Sequence, residues 1–286
     1  MHHDFLVKKP FVLVGLALCC VMWMSPSVSP ASAEKQSTTS FEKNSQESED
    51  EWEFSVVPYL WFISVSGDAT IKGASASVDA SFRDVWDELN LGIMALVQAR
   101  WKRFGAYADV IYAHLQAENG ISRGGSVSSD FTSVITDVVG FYRLGPFRLG
   151  NRSNGAAPNV IVDPYVGFRS WSLRTRFNIR TRVLPTLSAR SDQVWFDLIT
   201  GARTNWNFTD RWNMKLQADI GGGSSDLTTQ GILTFGYRFD MWGDKNANVQ
   251  LGYRVMYTDY ATGQGRDRFA LRATIYGPIL GLGVRF

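Results

Sequence analysis

Past residue 33 the chain holds one histidine, His114. Glu118 lies four residues on and Ser122 four beyond that. A histidine with a carboxylate and a hydroxyl is the smallest set that could activate a nucleophile. Ser122 falls in a polar, Gly-rich stretch, GISRGGS (120–126), so the three do not share one strand face. His114 therefore reads as a rim residue with ordinary polar neighbours. A lipid or peptide hydrolase at the rim stands as the least favoured alternative, and the chain is read as no enzyme. GGGSSD (221–226) lacks the Lys and following helix of a phosphate loop, and GQGRDR (263–268) lacks a third glycine. Both cysteines, Cys19 and Cys20, precede residue 33, and no Cys/His cluster follows. No disulfide framework, metal or cofactor is expected.

A second set has a regular spacing. Asp137 and Arg143, Asp163 and Arg169, and Asp197 and Arg203 each stand six residues apart. Six is even, so on a strand each pair shares a face, about 20 Å apart and out of mutual reach. Between antiparallel strands they can meet. One register puts Asp137 opposite Arg169 and Arg143 opposite Asp163. The next puts Asp163 opposite Arg203 and Arg169 opposite Asp197. These registers centre the connections near residues 153 and 183, in plausible loops. The expectation is a charge lattice on three neighbouring strands, facing away from lipid. Arg100 is placed diagonal to Asp109, and Lys215, Asp219, Arg238, Arg254 and Arg272 are placed on the same polar side.

The elements that carry these residues alternate with period two. In WNFTDRWNMKLQADI (206–220), Trp212, Met214, Leu216, Ala218 and Ile220 alternate with Asn213, Lys215, Gln217 and Asp219. Val194, Phe196 and Leu198 alternate in the same way with Gln193, Trp195 and Asp197. Such strands have one apolar and one polar face. Ten are expected: 53–66, 91–102, 105–118, 127–144, 159–178, 191–208, 212–224, 228–240, 246–260 and 267–286. Residues 68–82 alternate weakly and could add a hairpin, making twelve. SFRDVWDEL (81–89) is expected to form a short helix with Asp84 near its start. Gly277-Pro278 is expected to form a bulge that shifts the alternation, since proline cannot donate to the ladder. Many of these strands exceed ten residues, the length a tilted strand needs to cross a bilayer. Aromatics flank three tight connections, at 102–105, 209–211 and 242–245: Trp101 and Phe104, then Trp206, Phe208 and Trp212, then Phe239 and Trp242. Amphipathic rings suit the headgroup boundary.

The ends of the chain agree. Lys8 and Lys9 precede an apolar run, Phe11 to Met24, and Ala31 and Ala33 form an A-x-A site. Residues 1–33 read as a secretory signal peptide rather than an anchor, the run being short for a membrane helix. Residues 34–51, EKQSTTSFEKNSQESEDE, read as a disordered acidic leader. Residues 52–286 are then expected to form one domain; residues 34–286 together hold 27 basic and 26 acidic residues, so nucleic acid is not implied. At the other end, Leu280, Leu282, Val284 and Phe286 alternate with Gly281, Gly283 and Arg285. A soluble protein seldom ends on such an edge. Residues 279–286 resemble the terminal strand of bacterial outer-membrane β-barrels, and the rest of the domain shares a general likeness with the small members. The resemblance implies the outer membrane, with Phe286 as the signal to the barrel-assembly machinery.

The expectation is therefore an all-β, antiparallel, up-and-down transmembrane barrel of ten strands (alternatively twelve), its apolar face toward outer-membrane lipid. Ten strands lie near the size at which side chains fill the lumen. The function expected is a narrow channel or passive transport barrel for a small solute. The alternative is a structural or surface-interaction barrel with a packed lumen. A soluble periplasmic barrel or sandwich, apolar face inward, would explain the alternation but not the terminal Phe or the aromatic rings.

Overall fold

A computed structural model describes residues 52–121, 125–150, 157–180, 187–241 and 247–286. The proposed signal peptide and leader, the turn at 242–245, most of the loop around 153 and the middle of the one around 183 lie outside them. Period-two alternation gives strands throughout: β1 (Trp52–Trp61), β2 (Ser64–Ile71), β3 (Ala74–Ala80), β4 (Leu89–Trp101), β5 (Phe104–Ile121), β6 (Gly125–Tyr142), β7 (Leu144–Arg148), β8 (Asn159–Arg180), β9 (Leu187–Asn207), β10 (Trp212–Gly223), β11 (Leu227–Phe239), β12 (Ala247–Thr262) and β13 (Phe269–Arg285). One short helix, α1 (Phe82–Trp86), separates β3 from β4.

Ten of the strands close an antiparallel barrel in the order β1-β4-β5-β6-β8-β9-β10-β11-β12-β13, with β13 returning to β1. The β1–β13 and β1–β4 ladders close the ring over its periplasmic half, the sheet arrangement a bilayer tolerates. The weakly alternating 68–82 region does form a hairpin, β2–β3, but it adds no strand to this ring. Instead β2 continues β1 along the outer half of β13: Trp61 pairs with Ile279 and Ser64 with Tyr276, in one unbroken register. Two glycines permit the close approach. A Cβ on Gly277 (φ +156°) would lie 1.8 Å from the Phe62 carbonyl, and one on Gly67 (φ +154°) 2.1 Å from that of Arg272. The expected bulge at Gly277-Pro278 is therefore absent. Pro278 has no N–H to donate, but its carbonyl still accepts from the Phe62 amide at 2.8 Å, so pairing runs on past it.

That corrects a second expectation. With no shift, Arg272 keeps the parity of Leu280 and Leu282 and lies on the outside, pairing with Asp259 at 2.8 Å.

β4 pairs with β1 only from Ala95 to Trp101; its outer half is laddered to β5 alone. β3 likewise pairs only with β2. The chain joins these two edges through α1. Its capping box links Ser81 and Asp84, and Val85 is fully buried in the apolar cluster that holds Trp61, Ile63, Ala80 and Met94. The Ser81 amide and hydroxyl both donate to Asp84, at 2.9 and 2.6 Å, and hold its carboxyl below the usual carboxylate range.

The faces sort by chemistry. Val138, Phe168, Phe196, Leu198, Phe235 and Leu251 are 52–61% exposed, whereas Asp137, Asp163, Arg169 and Asp197 are at most 2% exposed. This is a soluble protein turned inside out, and it overturns the inward-apolar reading. Aromatic pairs ring the end bearing the tight turns: Trp52–Trp101, Phe104–Tyr142 and Trp212–Tyr237. Phe286 exchanges backbone hydrogen bonds with Phe54 at this end. Short turns mark the periplasmic side.

Candidate functional site in the barrel interior

Inward positions on seven strands build one hydrogen-bonded belt. Arg169 (β8) forks onto Asp137 (β6) with two contacts of 2.8 Å, then reaches Asp219 (β10) at 3.1 Å and Thr228 (β11) at 3.2 Å. Asp219 also accepts from Tyr165 at 2.9 Å and from Gln230 at 3.0 Å. Gln230 accepts from Arg254 (β12) at 2.9 Å, and Arg254 reaches Asp109 (β5) at 2.9 Å and Tyr59 (β1) at 2.8 Å. Tyr59 donates to Asp109 at 2.7 Å, and Gln217 (β10) to Tyr107 (β5) at 3.1 Å. Arg254 to Asp109 and Gln217 to Tyr107 join strands four places apart around a ring of ten, so these contacts cross the lumen. Two guanidinium groups, Arg169 and Arg254, are thus shared among three carboxylates, Asp109, Asp137 and Asp219, and hydroxyl and carboxamide donors supply the remaining contacts.

On the periplasmic side a second cluster joins the end of β6, β8 and β9. Arg143 forks onto Asp163 at 2.9 and 3.0 Å, and Arg203 reaches the same carboxylate at 3.0 Å. The Arg203 guanidinium also covers the rings of Tyr107 and Phe141, 5.3 and 4.9 Å from their centroids. On the outer side the lumen is apolar: Trp171 stacks on Trp195 (5.4 Å), Trp195 on Tyr260 (4.3 Å), and Met256 is fully buried beside them.

Of the four pairs expected from the six-residue spacing, Asp137–Arg169, Arg143–Asp163 and Asp163–Arg203 are in contact. The fourth is a correction. Arg169 and Asp197 stand opposite in the ladder, yet no ion pair joins them. Asp197 instead accepts the Ser225 amide at 2.7 Å and hydroxyl at 2.8 Å, fastening the β10–β11 turn. Arg169 is already saturated by Asp137 and Asp219. Arg100 is likewise paired with Glu53 at 2.7 Å, not with Asp109. The Arg254–Asp109–Tyr59 cluster was missed, since parity names a residue's face but not its partner across a lumen. Its only sequence signal was the placement of Arg254 and Asp109 on inward positions.

His114 lies on the outer wall, its Nδ1 3.1 Å from the Thr132 hydroxyl. It borders a groove of about 360 Å³ with Tyr112, Asp130, Thr132, Arg174 and Arg176. The Glu118 side chain and Ser122 lie outside the described residues. Among those described, no group of three His, Cys, Asp or Glu is placed to hold a metal.

No protein-family model matches the chain, and no curated protein matches it in sequence. Among solved structures it is similar to Ail, the attachment invasion locus protein of Yersinia pestis (8% identity, 83% of this chain and 99% of that one, TM-score 0.34). It is also similar to the translocator domain of the autotransporter NalP from Neisseria meningitidis (11% identity, 85% and 92%, TM-score 0.36) and to Neisserial surface protein A (14%, 83% and 100%, TM-score 0.27). Closed ladder, lipid-facing apolar band, aromatic ring and buried inner charges together make this chain a β-barrel of the bacterial outer membrane.

Proposed function

We propose that the protein is a closed-lumen barrel that works at its surfaces rather than as an open pore. The observation that supports this is the belt: charged and polar side chains from seven strands meet within the lumen, roofed by the Trp171–Trp195–Tyr260 stack. A solute crossing here would have to break matched buried ion pairs, each costly to leave unpaired. The narrow-channel reading requires the belt to part. Planar-bilayer recordings on refolded protein decide between them. Silence from a folded barrel supports the closed reading, and steady conductance overturns it.

The same proposal takes residues 1–33 as an export signal, residues 34–51 as a periplasmic leader and Phe286 as the determinant read by the barrel-assembly machinery. Deleting Phe286 is expected to lower the amount of protein in the outer membrane; unchanged assembly removes that role.

A further inference from the structure

Below the belt, toward the periplasm, the lumen opens into a cup of about 170 Å³. At about 30 Å³ per water it holds roughly six molecules. Arg143, Arg203, Lys215, Arg238 and Arg285 line it, from strands all round the ring. Among the described residues two carboxylates pair with them, and a third, Asp210, lies near Arg238 without an ion pair. Asp163 is shared by Arg143 and Arg203, and Glu53 by Arg285 and by Arg100. Six cations against these three carboxylates leave a surplus of three positive charges.

The surplus has an address. Lys215 meets only the Gln250 carboxamide oxygen, at 3.4 Å. Arg238 meets the Asn207 side-chain oxygen and the Asp210 backbone carbonyl. Asp210 itself sits on the tight turn between β9 and β10 and forms no ion pair with Arg238. Arg203, 3% exposed, leaves its Nε without a partner among the described residues. Asn205, Asn213, Asn248, Gln98 and Ser55 add neutral polar groups to the same wall. A self-contained lattice would leave little net charge, as the belt above does with three carboxylates against two guanidinium groups. Unmatched cations converging in a low-dielectric recess instead focus a positive potential on whatever anion enters.

We propose that this cup is a periplasm-facing binding site for a small multivalent oxyanion of the phosphate class. Guanidinium and ammonium groups at several heights suit a ligand with three or four acceptor oxygens on one centre, because each oxygen finds its own charged donor. A single carboxylate offers two. The site is reached from the periplasmic mouth and is closed at its inner end by Tyr107 and the belt. It goes beyond the closed-lumen reading and does not need it, since a conducting barrel could hold the same anion.

The test is calorimetric titration of the mature, folded protein in zwitterionic micelles at low ionic strength, with inorganic phosphate as the probe. One saturable site per chain is expected, weakening as potassium chloride is raised. The Lys215→Gln and Arg238→Gln variants should each lose at least about tenfold in affinity, a difference of about 1.4 kcal/mol, while Lys215→Arg retains binding. Thermal unfolding by circular dichroism checks that each variant is folded. An exterior control, Arg174→Gln with Arg176→Gln, should bind as the wild type does. No saturable binding overturns the proposal. So does binding lost with the exterior pair but kept in the Lys215 and Arg238 variants, and so does acetate or citrate binding more tightly than phosphate.

Discussion

At the residue scale, two kinds of position carry the molecule, and they fail differently. Arg169 bridges Asp137 and Asp219 at once and is fully buried. Arg169→Ala is expected to destabilise the barrel by about 3–5 kcal/mol, because two carboxylates are left without their cation; a shift below about 1 kcal/mol in urea unfolding from bilayers counts against the belt's structural role. Leu216 is its lipid-facing counterpart, 47% exposed on β10. Leu216→Arg is expected to cost about 2–4 kcal/mol near the bilayer midplane, read in the same assay. His114→Ala, on the outer wall, is expected to leave function unchanged; loss of a hydrolytic activity in that variant would revive the enzyme reading. These positions were legible because parity is local: Lys215 and Leu216 sort to opposite faces from sequence alone. Partners were legible only between laddered neighbours. Asp137 finds Arg169 across one rung, but Asp109 finds Arg254 across the lumen, a contact set by barrel circumference, which no local pattern encodes.

At the element scale, strand existence followed the pattern closely, and the errors came from special backbone. Gly277-Pro278 looked like an interruption. In the barrel the glycine takes a left-handed φ so that β1 can pass beside it, and the register on both sides is the same. That single difference decides where Arg272 points. Gly277→Ala meets both a strained φ, worth about 1–3 kcal/mol, and the Phe62 carbonyl, and is expected to lower refolding yield sharply. Wild-type yield would mean that the β1–β13 closure tolerates a wider gap. The short helix was legible through Ser81 and Asp84. Hydrogen bonds keep the Asp84 carboxylate charged below its ordinary range, so the cap is intact at neutral pH and is lost only as the pH falls through that lowered value.

At the scale of the whole molecule, the barrel is layered along its axis: a cationic cup, an ionic belt, an aromatic stack. It is not layered evenly around its circumference. From β5 to β13 the strands are laddered on both sides except at overhanging outer ends, such as 187–196 of β9, which pairs with β8 alone, whereas the outer half of β4 and the free edge of β3 face each other without a ladder, bridged by the five residues of α1 and their apolar cluster. Local opening starts where the fewest backbone bonds must break. In hydrogen–deuterium exchange, the amides of 74–80 and 89–94 are therefore expected to exchange well before those of β8 and β9, with wild-type closure elsewhere. Slower exchange there than in β8 would refute it. The barrel then has a built-in zipper foot: under heat, denaturant or lateral tension it should part along that one line, turning a cylinder into a curled sheet rather than collapsing from its ends.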